Sequence, residues 1–318
     1  MGIEKEFKYT PLPEPILITE QDWPEGTLPL VHTRHMTFNH ENYIRDCIEG
    51  VLLQKTTFPV QVLIHDDTST DKTGEIVREY ELMYPKLIKA YYQKENTFRK
   101  PDKHERRKAF MDWRIGKYEA PCEGDDYWTD PLKLQKQVDY MESNPECVLT
   151  HHTWNILDQS NNKISDKVNK GYRTLTLLFR NELSDFKSPK QVVNGDMVLK
   201  FYLSTKGKFK FLENVKPAIH RHHNGGIWSK TGDYFKLSNK LKTLEEIVHL
   251  YENTKHVNKA RLNLASIVFS YHISKQELLD KYIKENSIDN LNSYLNINKI
   301  KRLFILQKIK NLLRKFLK

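Results

Sequence analysis

Two pairs of adjacent aspartates, Asp66-Asp67 and Asp125-Asp126, are the residues of this 318-residue chain whose types and spacing most directly suggest chemistry. Each pair follows a short strand-like run, and in an open α/β sheet ligands bind outside the carboxyl ends of the strands. Two acidic pairs brought to one edge repel each other unless a cation or a donor-rich ligand compensates. A single pair would serve equally well as a cap for the following helix; a second pair at a successive strand end favours the cation. Oxygen ligands, with no Cys or His at metal-ligand spacing, suit Mg²⁺ or Mn²⁺ rather than zinc. An ion held there bridges a diphosphate and stabilises it as a leaving group. No basic residue stands immediately beside Asp125-Asp126 in the sequence.

The elements that must position these acids alternate between strand and helix patterns, the signature of an α/β domain with a mainly parallel sheet. Leu30 to Thr37 is the first expected strand, followed by an amphipathic helix over Glu41 to Leu53 with Tyr43, Ile44, Cys47, Ile48, Val51 and Leu52 on one face. Val60 to Ile64 is a strand running into the first acidic pair, Thr73 to Met83 a helix, and Leu87 to Tyr92 the next strand. Asn96 to Arg107 is polar and basic and reads as a loop or short insertion. Lys117 to Cys122 leads as a strand into the second pair. Asp130-Pro131 then offers an N-cap with proline at the first helical position, for a helix over Leu132 to Met141. Val148 to His151 resumes strand character, Gly195 to Thr205 is helical with Gly207 placed to end it, and Phe209 and Phe211 mark one more short strand. Residues from about 236 onward are helical. The domains expected are a Pro-rich lead over 1–29, an α/β domain over 30–235 and a helical region over 236–318.

Three stretches in order resemble family 2 glycosyltransferases: Thr37-Phe38-Asn39-His40-Glu41, Asp66-Asp67-Thr68-Ser69-Thr70-Asp71 and Glu123-Gly124-Asp125-Asp126-Tyr127-Trp128. Gly195-Asp196 and Arg221-His222-His223-Asn224-Gly225-Gly226-Ile227-Trp228 are similar to later elements of that family. The resemblance implies a GT-A fold, a Rossmann-like nucleotide half joined to an acceptor half in one sheet. It implies inverting sugar transfer from a nucleotide-diphosphate sugar to a saccharide or lipid-linked saccharide acceptor in cell-surface glycan assembly. Thr37, Phe38, Asn39, Asp66 and Asp67 would line the nucleotide pocket, with Asp67 on the base and Glu123 and Trp128 beside it. Asp125, Asp126 and His223 would hold Mn²⁺ or Mg²⁺, and Asp196 would be the base that takes the acceptor proton. Taken alone, Asp196 also fits a helix N-terminal acid, Trp128 a core residue and His223 a structural histidine blurred by His220 and His222.

Departures from the family pattern fall on the strands. His32, Arg34 and His35 interrupt the first, and buried polar groups there need partners. Glu119 and Pro121 interrupt the later one, Pro121 removing a ladder donor. That polar first strand motivates an alternative, a relative that binds nucleotide-sugar or glycan without turnover.

Composition bounds the rest. Hydrophobic residues at 38% and charged residues at 29% fit a globular protein rather than a disordered one. The net charge of +10 is concentrated: Lys299 to Lys318 carries eight Lys/Arg and no acid, leaving about +2 elsewhere. The body therefore lacks the basic face of a nucleic-acid binder. Ile300, Phe304, Ile309, Leu312, Leu313, Phe316 and Leu317 gather towards one side of a helix, so the tail is expected to dock on an anionic membrane face. Cys47, Cys122 and Cys147 are odd in number and lack CxxC spacing, which argues against a disulfide framework and a zinc site. With no signal-like start or membrane-length run, the expected location is cytoplasmic, peripheral on the inner face of the cell membrane.

Overall fold

The structure, a computed structural model, describes residues 7–274 except 99, 101, 161, 188–193 and 227–230, together with 277 and 281. The basic tail over 299–318 and Ile227-Trp228 lie outside the described residues. The chain forms two compact units, residues 1–186 with 206–229 and residues 187–205 with 230–318.

The first unit is built on a seven-stranded sheet. Its elements are β1 (Val31–Thr37), α1 (Ile44–Leu52), β2 (Val60–Asp66), α2 (Thr73–Met83), β3 (Ile88–Tyr92), β4 (Tyr118–Pro121), α3 (Lys133–Ser143), β5 (Cys147–His151), β6 (Thr153–Asp158) and β7 (Leu178–Arg180). After α4 (Gly195–Lys206), which runs across the division between units, come β8 (Lys208–Phe211) and β9 (Ala218–His222). The strand order is β8-β5-β7-β4-β1-β2-β3. All neighbours are parallel except β7, which runs antiparallel to both β4 and β5. A second small sheet pairs β6 with β9 in parallel. This is the α/β, mainly parallel arrangement expected of a GT-A fold.

The helices form because each presents an apolar stripe to the sheet. In α1, Ile44, Cys47, Ile48, Val51 and Leu52 are buried against the core of Val31, Val62, Ile64 and Ala120. Gly50 allows α1 to approach the backbone closely, since a Cβ there would lie 2.9 Å from both N and O of Trp128. The helix after Asp130-Pro131 starts later than expected, at Lys133. Asp130 Oδ1 accepts the Leu132 N–H, while Oδ2 accepts Lys216 N and Lys136 Nζ, so the carboxylate fastens three segments instead of capping the first turn. Within the expected loop over 96–107, Lys103–Arg106 forms a single helical turn.

The polar departures in the strands answer one another. Parallel register sets His32 of β1 opposite Glu119 of β4. Glu119, fully buried, accepts from His32 Nε2 at 3.1 Å, Arg34 Nε at 2.6 Å and Arg114 Nε at 2.7 Å. Burial opposes its ionisation, but Arg114, Arg34 and the His32 bond hold its carboxyl well below the ordinary carboxylate range. Burial pushes His32 down in turn, so a neutral imidazole N–H is the donor. Pro121 sits beyond the last β7 pairing, which involves Tyr118 and Glu119, and Cys122 N resumes the ladder to Arg34 O at 3.0 Å.

The second unit is helical. α5 (Asp233–Leu250) buries Leu237, Leu241, Leu244, Ile247 and Val248 and packs against α6 (Val257–Ser274), while Phe201 of α4 meets Tyr251 edge to face at 4.9 Å. Among the described residues no helix is long and apolar enough to cross a membrane.

Candidate active site

β4, β1 and β2 are adjacent and parallel, so their carboxyl ends share one edge. The loops that leave them extend the ladder. Asp67 N donates to Thr37 O and Gly124 N to Met36 O, both at 3.0 Å, so both acidic pairs are hung on the end of β1. Gly124 is required at this approach, because a Cβ there would stand 2.8 Å from the Thr37 side chain and 2.9 Å from His40 Nδ1.

The first two motif stretches interlock. Asn39, at φ 55°, donates its backbone N–H to Ser69 Oγ and accepts Thr70 N–H on Oδ1. His40 N donates to Thr73 Oγ1, Glu41 N to Asp71 Oδ2, and Lys72 N to Glu41 Oε2. Asp66 accepts both the N–H and the hydroxyl of Ser69, and burial raises its pKa. Asn39, expected to line a nucleotide pocket, thus braces one loop against the other, and Asp66, expected there too, holds the turn of its own loop, whereas Phe38 is exposed.

Asp67 is only 4% exposed, and its carboxylate is already engaged. Oδ1 accepts Thr97 N at 2.9 Å and Thr97 Oγ1 at 2.6 Å, and Oδ2 accepts an Arg107 N–H at 3.0 Å. The basic loop that carried no pattern in the sequence is therefore what holds the second aspartate of the first pair. Its signal was charge complementarity, an Arg-rich loop following an Asp-rich one.

The second pair, which has no basic residue beside it in the sequence, gains nitrogen donors from elsewhere in the chain. Tertiary structure sets His40, His220, Arg221 and His223 against it. Asp126, 3% exposed, accepts Arg221 N at 2.8 Å and His220 Nδ1 at 3.0 Å. Asp125 accepts His223 Nε2 at 3.0 Å, with His40 Nε2 at 4.0 Å. The three histidines that the sequence left open have separate places: His220 of β9 serves Asp126, His223, just past β9, serves Asp125, and His222 is exposed. The buried Arg221 guanidinium lies 5.0 Å from the Tyr43 ring and 5.3 Å from the Tyr127 ring. It donates to Asp125 O at 3.0 Å and to Asp46 of α1 at 2.6 Å, tying the acidic loop to the helix.

Charge follows from this packing. Burial, then Asp126 and Asp125, push Glu123 up to about 8. Burial raises Asp126 as well, with His220 opposing. For Asp125 burial also opposes ionisation, but the His223 bond and the charge of His40 hold it below its ordinary value. The three acids of one turn are thereby shifted in different directions, Glu123 and Asp126 up and Asp125 down. Thr37 Oγ1, His40 Nδ1 and His223 Nδ1 are buried without a hydrogen-bond partner at this edge. Orphaned polar atoms around a carboxylate pair fit a site that binds a polar ligand or cation.

Trp128 departs from its expected place beside the ligand. It is 2% exposed, donates its indole N–H to Leu175 O at 2.8 Å, and has Lys133 Nζ 4.0 Å from its ring centre. It underpins the acidic loop from the core. Asp196 lies in the second unit, in the first turn of α4, 44% exposed and paired with Lys200 at 2.7 Å.

Residues 36–200, just over half of the chain, match the model of "Glycosyl transferase family 2". The chain belongs to this family. An uncharacterized protein of Mycobacterium tuberculosis is 33% identical to this glycosyltransferase over 208 residues, covering 61% of the chain and 59% of the relative, so the match spans little more than half of the relative's length. TuaG of Bacillus subtilis, a glycosyltransferase whose name assigns it to teichuronic acid biosynthesis, is 29% identical over 131 residues, covering 41% and 49%. Among solved structures, S. aureus TarS 1–349 in complex with UDP-GlcNAc superposes with a TM-score of 0.59 at 15% identity, covering 76% of this chain and 72% of that one. The mannosyltransferase PcManGT of Pyrobaculum calidifontis, in complex with GDP-Man and Mn²⁺, gives 0.53 at 13% identity, covering 97% and 91%. These likenesses establish the GT-A fold.

Proposed function

We propose that this glycosyltransferase moves a sugar, with inversion, from a nucleotide-diphosphate sugar to an acceptor hydroxyl. The observation that carries the reading is the single edge where Thr37, the Asp66-Asp67 loop and the Asp125-Asp126 loop meet, ringed by buried polar atoms without partners. Asp125, Asp126 and His223 are the groups that would hold Mn²⁺ or Mg²⁺, and the solved relative with GDP-Man and Mn²⁺ supports such a donor. A bound divalent ion supplies positive charge against the diphosphate as it leaves.

The chain's own residues do the rest. Arg221, His220 and His223 fix the acidic loop, and the bonds of Asn39, Glu41, Ser69 and Asp71 keep its neighbour in register. In the transfer, the acceptor oxygen bonds to the anomeric carbon as the carbon–phosphate-oxygen bond breaks, and the acceptor proton passes to a carboxylate. Asp196 is assigned that base from its place in the order of family motifs. The acceptor class, a saccharide or lipid-linked saccharide of a surface glycan, draws support from TuaG alone. Of the polar first-strand residues that motivated a binding-only relative, His32 and Arg34 have a buried partner in Glu119.

Calorimetry of UDP and GDP with and without Mn²⁺, on the wild type and the Asp125→Ala/Asp126→Ala variant, tests the donor site. Metal-dependent diphosphate affinity should collapse in the variant; affinity retained there overturns the assignment. Release of free nucleotide from UDP- or GDP-sugars by the wild type separates an enzyme from a binder.

A further inference from the structure

The three cysteines have no metal-ligand spacing in the sequence, yet the fold brings two of them together with a histidine. His35 from β1, Cys47 from α1 and Cys122 just past β4 are all buried, and their ligating atoms lie within 4.8 Å of one another. Cys47 Sγ is 3.4 Å from His35 Nδ1. We propose that His35, Cys47 and Cys122 form a zinc-binding site, separate from the carboxylate edge and built into the core beneath it.

Donor type argues for the metal. Two thiolates and an imidazole are soft and borderline donors that select Zn²⁺ and disfavour Mg²⁺ and Mn²⁺. Zn–S near 2.3 Å and Zn–N near 2.0 Å at a tetrahedral angle set sulfur and nitrogen about 3.5 Å apart, close to the 3.4 Å seen here. His35 Nδ1 is also 3.1 Å from the Cys122 carbonyl oxygen, and Cys47 Sγ is 3.4 Å from that of Glu123, so main-chain oxygen is at hand for the fourth position. Thr33 Oγ1, 2.8 Å from His35 Nε2, orients the ring; as acceptor of the Nε2–H it leaves the Nδ1 lone pair, now facing Cys47 Sγ, to ligate, the usual role of such a partner.

Electrostatics agrees with burial. A dication with two thiolates has no net charge, so it avoids the penalty that an uncompensated ion meets in the core. Binding releases both thiol protons: Zn²⁺ enters, two S–H bonds break and two Zn–S bonds form. Such a site would join β1, α1 and the strand end that opens into Glu123-Gly124-Asp125-Asp126.

The test uses the full chain unfolded in chelator, then refolded with Zn²⁺ or with Co²⁺ as a spectroscopic stand-in. Mass-spectrometric metal analysis should give about one zinc per chain, and the cobalt form should show a near-ultraviolet thiolate-to-cobalt charge-transfer band. A carboxylate site gives no such band, so cobalt at Asp125 does not imitate the result. Cys147→Ala should keep the band and Cys47→Ala should lose it more than tenfold. Should Cys47→Ala fail to refold, the wild-type titration decides alone. Refolded wild type with no thiolate-to-cobalt band overturns the proposal, whether or not zinc is bound at the carboxylate edge.

Discussion

Replacing Glu119 by alanine is the most direct test of how this sheet tolerates its polar strands. The side chain is fully buried and receives N–H groups from His32, Arg34 and Arg114 at 2.6–3.1 Å. Its removal leaves the buried His32 N–H without an acceptor, a loss of about 1–3 kcal/mol. It also leaves two guanidinium groups facing each other with no anion. Breaking a buried ion pair from one side typically costs roughly 3–5 kcal/mol, and the geometry here places Glu119→Ala in that range. The triple variant His32→Leu/Arg34→Met/Glu119→Leu should recover most of the loss, since Arg114 is partly exposed and can turn to water. Urea unfolding followed by tryptophan fluorescence at pH 7 reads both effects as midpoint shifts. The sign with pH is fixed by a folded-state value held below 4.5, the ordinary one. The stabilisation is complete above about pH 4.5 and is lost as pH falls through the depressed value. The gap between wild type and Glu119→Ala should therefore close in acid. A gap under about 1 kcal/mol at pH 7, or one that widens in acid, refutes the reasoning.

Burial drives Lys133 down from 10.5 to about 7, so wild-type stability should rise between pH 7 and 10, while Lys133→Met should be more stable at pH 7 and lack that rise; denaturant midpoints at both pH values check it. Asp196→Asn should lower kcat by roughly 10²-fold or more with donor affinity unchanged by calorimetry; near wild-type transfer would shift attention to Glu213 or Asp185. We expect residues 299–318 to dock the enzyme on the cytoplasmic face of an anionic membrane, so full-length protein should float with anionic vesicles at low salt. It should release as salt screens the charges and stay behind when the tail is removed.

The sequence by itself carried the α/β alternation, the strand ends that bear both acidic pairs, and the family. Those features are local: apolar periodicity over α1 and α2 and turn chemistry at Asp66–Asp71 are written in consecutive residues. Partnership across the sheet is not local, and tertiary structure alone decided it. Nothing near Asp67 announces that Thr97 and Arg107 fill its carboxylate, because parallel crossovers bring loops 30–40 residues apart to one edge. Likewise Glu119 and Arg34, each a flaw in its own strand, become one buried ion pair once register sets β1 beside β4. Packing likewise gathered His35, Cys47 and Cys122, and it set His220 and Arg221 of β9, with His223 just past it, against Asp125 and Asp126. Periodicity tells each residue which face it occupies; only the packed sheet tells it which charge it meets there.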